Sequence, residues 1–416
     1  MKLFRINIYL KFSLFIKSIF IRYYFLDNKI SNILKRNSKK KYFVLSSQLR
    51  VGFLVLLKYL KSKNKKKNEI IFSPYNLAEM INVAKNIGFK IVFSKINFDD
   101  AFYDFNYLKK KINKNTAAIV LTNMFNSYED SKKIRNLCTN KKIYLIEDNA
   151  IYFDNYKLVN GKKIFTGSFG DFSLYSFNIM KNISALFGGG VATNDSAFIN
   201  FYSNEIKKYS HFPFLRYLKQ NFLYVLLKIL SVKYFYNLFF FKIVKSAHLN
   251  KNFFLLKLFY PSLKFKIIKF PKYYFTKISN FSKKLIFLQL NDTVNRIQNH
   301  QIRKNNNIFY DKLFKKKNIK QVKLLMITDY NFQNFIDYPI IVNNKNDLNR
   351  YLLKKGIETR LLYYKDCTKL FDHKNTKNNT TEDLEKKIIC LPNHSKVTKK
   401  YMFFLVNSIK QFYDKK

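Results

Sequence analysis

Asp148, Ser176 and Lys181 fall within one stretch of the chain, which reads LIEDNA and then GSFGDFSLYSFNIMKNISALFGGGVATND. Asp148 ends an apolar run, a placement that sets one carboxylate at the edge of a cleft. Lys181 comes five residues after Ser176 and seven before Gly188-Gly189-Gly190. A lysine amine adds to carbonyl groups as a nucleophile, and a buried acid can keep the ring nitrogen of a cofactor protonated. The pattern suits Schiff-base chemistry on a glycine-lined loop.

Glycine usage marks the same stretch. The 416 residues include only nine glycines, and six of them (Gly161, Gly167, Gly170, Gly188, Gly189 and Gly190) lie here. The backbone there must go where a Cβ cannot. Composition excludes other classes. Apolar residues at 48% and aromatics at 18% are too many for a disordered chain. Cys138, Cys367 and Cys390 are far apart and make neither a disulfide framework nor a paired-cysteine metal motif, which fits a reducing, cytoplasmic compartment. The five histidines form no zinc pattern, so no metal is expected. The formal net charge of +51 is spread along the whole chain, as compositional drift toward Lys, Asn, Ile, Phe and Tyr produces. An anionic membrane surface is the main alternative source of that charge, and no specific nucleic-acid partner is expected.

The elements that must position these groups alternate. Short apolar runs at Tyr42–Leu45, Ile70–Phe72, Lys90–Phe93, Ala117–Thr122 and Ile143–Asp148 read as strands. Helical runs at Val51–Leu60, Asn76–Asn86 and Ser131–Cys138 separate several of them. This rhythm predicts an α/β domain with a mainly parallel sheet, where ligands bind at the carboxyl ends of strands. Further strands are expected at Phe172–Phe177 and Val191–Thr193. A long helical run covers Ser279 to Phe314, and the rest reads as a small α+β domain. Its expected elements are strands at Ile336–Val342 and Ile357–Tyr364, a helix at Asp347–Lys354 and a closing helix at Lys399–Phe412. The domain reading is a basic amphipathic N-terminal segment over 1–40, a large cofactor-binding domain over 41–205, an aromatic, lysine-rich insertion over 206–278, and a linking helix with the small domain over 279–416.

At these residues the chain resembles the DegT-type family of pyridoxal-phosphate (PLP) sugar aminotransferases, which have the aspartate-aminotransferase-like (type I) fold. The family's acid motif is matched by Glu147-Asp148-Asn149-Ala150. Its lysine motif is matched by Gly170-Asp171, Ser176-Phe177, Lys181, Gly188-Gly189-Gly190 and Asn194-Asp195. Farther on, Ser279–Val294, Arg303 with Tyr310, Gly356–Tyr364 and Leu391–Met402 resemble its later signatures. The resemblance implies a three-layer α/β large domain with a smaller α+β C-terminal domain. It implies Lys181 as the residue that binds PLP covalently, Asp148 at the pyridine nitrogen and Ser176 at the phosphate. Tyr75 and Asn76 stand where the family covers the cofactor ring, and Arg360 stands on a small-domain strand as a candidate substrate contact. The implied reaction transfers an amino group, from glutamate, to a nucleotide-linked keto sugar in a homodimer. Four positions depart from the family pattern: Ile151 where Gln or His is usual, Leu49-Arg50 at a small-residue helix start, Phe275 and Lys277 where Asn and Arg are usual, and Asn126-Ser127 at a Tyr-Gly turn. Ile151, Leu49 and Phe275 support an alternative, a catalytically degenerate relative that binds anionic membrane or nucleic acid. Relatives that dehydrate sugars carry histidine at the lysine position, so Lys181 favours amination.

Two apolar stretches bear on partners. Arg5, Lys11, Lys17 and Arg22 interrupt the N-terminal run, leaving no span of the ~18–20 residues a transmembrane helix needs. A basic helix on a surface and an ordinary packing helix are both consistent with it. Asn221–Lys245 is apolar around most of its circumference and suits burial, a partner subunit or a bilayer surface. Residues 1–30 and 221–245 are thus the candidates for peripheral membrane contact.

Overall fold

The computed structural model describes all residues except 1, 6, 251, 253, 256–268, 362–363, 372–378 and 416. Seven strands form the central sheet. Their spatial order is Tyr42–Ser46, Gly189–Thr193, Phe172–Ser176, Tyr144–Asp148, Thr116–Thr122, Glu69–Phe72 and Lys90–Phe93. All share one direction except Gly189–Thr193, which is antiparallel to both neighbours. Every strand expected for this domain is present to within two residues at its N-terminal end.

Alternation along the strands builds the layers. Ile70, Phe72, Ala118, Val120 and Ile146 face the helices Leu49–Lys63 and Ala78–Ile87. Ile71, Ile119, Leu121 and Leu145 face Leu108 of the helix Phe105–Lys111 and Ile134 of the helix Tyr128–Asn140. Both faces are covered, which explains why the strands read as nearly continuous apolar runs. The result is a three-layer α/β domain.

The small domain has its own core. Val322–Leu324, Tyr338–Val342 and Ile388–Leu391 form an antiparallel sheet. Ile340 and Ile389 pack there with Leu352 of the helix Lys345–Lys354 and Leu405 of the helix Lys399–Asp414. Two expectations are corrected. Of the strand expected at Ile357–Tyr364, the described residues form none: Ile357 and Arg360 make isolated bridges, to Leu3 and Cys390, and 362–363 lie outside the described residues. The run from Ser279 to Phe314 is two helices, Asn280–Asn291 and Thr293–Lys317. Asp292 breaks it by leaving helical geometry and capping the second helix, its carboxylate accepting from the Asn295 N–H.

The N-terminal segment forms helices at Phe12–Phe20 and Leu26–Ser38, and the insertion is helical over Phe214–Leu230 and again from Lys233 to Leu249. Arg5, one of the charges that interrupt the N-terminal apolar run, is buried. It pairs with buried Glu358 at 3.0 Å, and the Tyr236 hydroxyl donates to the same carboxylate at 2.8 Å. That buried pair joins the N-terminus, the insertion and the small domain, because a lone charge at this depth would be costly.

Candidate active site

The site sits at the carboxyl ends of the parallel strands. Asp148 is the last residue of its strand, in register with Thr122 and Leu174 of the neighbouring strands. Ser176 ends the next strand, opposite Gly189, and Gly189 in turn lies opposite Ser46. Chain order alone separates Ser46, Ser176 and Gly189, while sheet pairing sets them side by side.

Glu147 and Asp148 are consecutive and do different work. Glu147 has no exposed surface and accepts from the Gly170 N–H at 2.6 Å, the Gly167 N–H at 3.1 Å and the Asn123 side-chain amide at 3.1 Å. It shapes the glycine turn that leads into the strand Phe172–Ser176. Gly167 is required there: its φ is +89°, and a Cβ would stand 2.0 Å from the Tyr175 hydroxyl. Asn123 also donates to Asn149 at 2.6 Å and accepts from Asn126 at 2.7 Å. Asn126, a departure from the family turn, thus becomes part of a buried amide network.

Asp148 points its carboxylate to the other side of its strand, where the Ala150 N–H donates to it at 3.0 Å. Burial pushes its pKa up, while that hydrogen bond and the Lys181 ammonium pull it down. Lys181 lies on the loop that follows Ser176. Burial lowers its amine from the ordinary 10.5 to about 8, with the Arg360 charge acting in the same direction and Asp148 opposing. The loop is clamped from outside. Gln289 accepts from the Ser184 N–H at 3.0 Å and donates to the Ser184 carbonyl at 2.9 Å, and Asn182 donates to the Phe153 carbonyl at 2.9 Å. Gln289 belongs to the helix Asn280–Asn291, so that helix fixes where the lysine can be.

The remaining sequence candidates divide. Asn76 donates to the Thr122 hydroxyl at 3.1 Å, and Thr122 is the register partner of Asp148. Tyr75 goes elsewhere. Successive strand residues face opposite ways, so its ring enters the apolar cluster with Ile96, Met124 and Phe125, 5.8 Å from the Tyr364 ring. Arg360 reaches the lysine's surroundings from the small domain, already paired with Asp337. Ile151 packs into the same apolar cluster as Tyr75. Phe275 is bound within its own chain, its carbonyl accepting from the Ser210 N–H at 3.0 Å.

Sequence reading missed Tyr364. Burial raises its phenol pKa, Asp148 raises it further, and Arg360 opposes, which places the hydroxyl between the two domains' charged groups. Its only sequence signal is membership of the Gly356–Tyr364 segment; which groups it meets depends on how the small domain docks. Arg50 was also unassigned. Its guanidinium lies 3.6 Å from Glu79 and 3.5 Å from the Tyr274 hydroxyl, and its charge is among those lowering the Lys181 pKa.

The residues fit PLP. A cofactor phosphate needs backbone N–H groups at a helix start, where no intrahelical acceptor exists. The helix Leu49–Lys63 starts directly over Gly189, where a Cβ would stand 2.3 Å from the Leu49 nitrogen. Gly189 thus keeps open the cradle beside Ser176. Gly189→Ala is expected to introduce about 1–3 kcal/mol of overpacking at that helix start and to weaken PLP binding about tenfold. Absorbance titration of the apoprotein with PLP measures this; an unchanged affinity would remove Gly189 from the cradle.

Comparison with known proteins bears on the fold and the family. GDP-perosamine synthase of Vibrio cholerae is 32% identical over 133 residues, 32% of this chain and 35% of that protein. The chain matches only about a third to two fifths of the length of such curated relatives. Solved structures match throughout. PseC of Helicobacter pylori, an aminotransferase involved in the biosynthesis of pseudoaminic acid, superposes with a TM-score of 0.73 at 17% identity over 100% of both chains. An E. coli GDP-4-keto-6-deoxy-D-mannose-3-dehydratase with bound hydrated PLP gives 0.69 at 16% identity, covering 99% of this chain and 100% of that one. Aminating and dehydrating proteins thus share this fold, and the cofactor that the fold and the lysine site imply is PLP. The model of the DegT/DnrJ/EryC1/StrS aminotransferase family matches residues 39–207 and 274–410, on either side of the insertion, and the chain belongs to that family.

Proposed function

We propose that this protein is a PLP-dependent aminotransferase that transfers an amino group from glutamate to a nucleotide-linked keto sugar, for surface polysaccharide or glycan biosynthesis. The observation that carries the reading is the meeting of partly buried Lys181 with buried Asp148 beside the start of the helix Leu49–Lys63. Bound PLP supplies the electron sink on which the amino group changes hands. Lys181 would hold it covalently, Asp148 would face its ring nitrogen, and Ser176 with the N–H groups at the helix start would hold its phosphate.

The chain's own groups then do four things. The lowered pKa of Lys181 leaves part of its amine neutral near neutral pH, and the neutral form is the nucleophile. Lys181 Nζ would also serve as the base that takes the proton from the donor's α-carbon and as the acid that returns it. The Asp148 carboxylate would keep a proton at the ring nitrogen. The clamp of Gln289 on the Ser184 backbone keeps Nζ from drifting between steps.

Family resemblance supports a homodimer, and the excess of positive charge suits a diphosphate-bearing substrate. Three free, buried cysteines are consistent with a cytoplasmic location. Incubating the PLP-loaded protein and glutamate with a panel of nucleotide-linked 4-keto and 3-keto sugars tests the reading. An amino sugar with stoichiometric 2-oxoglutarate is expected from at least one, and dehydration without amino transfer throughout the panel would overturn it.

A further inference from the structure

The insertion that interrupts the family match carries a surface the proposed reaction does not use. Along the helix Phe214–Leu230, Leu215, Leu218, Phe222, Leu226 and Ile229 follow one another at intervals of three and four residues, and all are exposed. Leu215 keeps 80% of its surface and Phe222 69%. This is one apolar stripe along the helix, and among the described residues nothing covers it. The chain then bends by 79° into Lys233–Leu249. Beyond the bend the stripe resumes with Phe235, Phe239 and Ile243, again exposed and four residues apart. The opposite side of the bent pair is fastened down. The Tyr224 hydroxyl donates to the Leu10 carbonyl at 3.1 Å, and Tyr236 and Phe240 pack on Phe4 and Leu353.

The N-terminal helix joins this surface. Phe15 turns inward against Tyr224, with ring centroids 4.7 Å apart, while Phe12, Ile16 and Ile19 face out. Charge selects the occupant. None of the chain's 26 acidic residues falls within 1–26 or 206–291, whereas lysine and arginine recur through both. Two copies of this chain docked through such a surface would set basic side chains against basic side chains with no acid between them. An anionic bilayer offers the opposite: headgroups for the lysines and acyl chains for the exposed stripe. Among the described residues no single helix is long and apolar enough to cross a membrane; the bent pair is long and apolar enough only when its two helices are taken together, and its inner side is held by Leu10, Phe4 and Leu353.

We infer that the outward faces of Phe12–Phe20, Phe214–Leu230 and Lys233–Leu249 form a docking surface for an anionic phospholipid bilayer, holding the enzyme as a peripheral membrane protein. The inference is independent of the transamination reading, and its test is a binding measurement. The full-length protein is floated with vesicles of phosphatidylcholine alone and of an equal mixture of phosphatidylcholine and phosphatidylglycerol. It is expected to float with the mixed vesicles only and to be released by high salt. The double variant Phe222→Asp with Phe239→Asp is expected to weaken binding about tenfold or more, while Met326→Asp, at an exposed apolar residue of the small domain, leaves it unchanged. The chain contains no tryptophan, so Phe222→Trp supplies a single reporter whose emission is expected to shift to the blue with mixed vesicles. Equal binding to both vesicle types, binding insensitive to the double variant, or a double variant that instead halves the oligomer in solution would overturn the inference. So would an unshifted emission.

Discussion

Lys181→Ala is expected to lower transamination by about a thousandfold or more, since it removes both the covalent attachment and the proton carrier. Borohydride treatment of the PLP-loaded protein is expected to fix one cofactor on Lys181 in the parent and none in the variant, as read by peptide mass. The amine's environment adds a pH signature. Burial and Arg360 favour the neutral form, so the pKa falls to about 8 from 10.5. Only the neutral amine attacks, so covalent capture of PLP by the apoprotein is expected to quicken as pH rises and to level off above about 8. An amine at its ordinary value would keep gaining reactivity well past that point. A capture rate still climbing at pH 10, or trapped cofactor in the alanine variant, would remove Lys181 from this role.

Glu147→Ala is expected to cost stability, and Asp148→Ala activity, although the two carboxylates are adjacent. Without Glu147 the Gly167 and Gly170 N–H groups and the Asn123 amide lose a buried acceptor. At about 1–3 kcal/mol for each buried donor left unpaired, the loss is about 3–9 kcal/mol, a large part of a typical folding free energy of about 5–15 kcal/mol. Asp148 accepts one backbone hydrogen bond, from Ala150, and its carboxylate is held against a burial penalty. Its replacement is expected to leave stability within about 1 kcal/mol of the parent, because removing a strained buried charge offsets the lost bond. Urea unfolding of both variants measures the contrast. Equal losses would mean that Asp148 is as structural as Glu147.

The fold was legible because its strands are buried on both faces. Thr116–Thr122 could hardly read as anything but a core strand, and the glycine spacing around Lys181 left little freedom for the loop. Where pattern was ambiguous, side-chain chemistry decided. Asp292 splits a run of helical periodicity because its carboxylate caps better than it continues, and Ile357–Tyr364 has strand composition yet pairs at single residues. Arg5 is the sharpest case. A basic residue in a basic segment reads as exposed, and only a partner 353 positions away makes its burial affordable.

By itself the sequence determined the α/β class, the strand that Asp148 ends and the glycine-lined loop that carries Lys181, because these depend on local periodicity and on short-range spacing. Tertiary structure alone decided the rest. It turned Tyr75 into the core and Asn76 toward Thr122, brought Arg360 and Tyr364 to the lysine from another domain, and set the helix start over Gly189. It also left one side of the insertion bare while fastening the other. Each of these turns on which distant surfaces dock, and a residue's neighbours in space are not encoded in its neighbours along the chain.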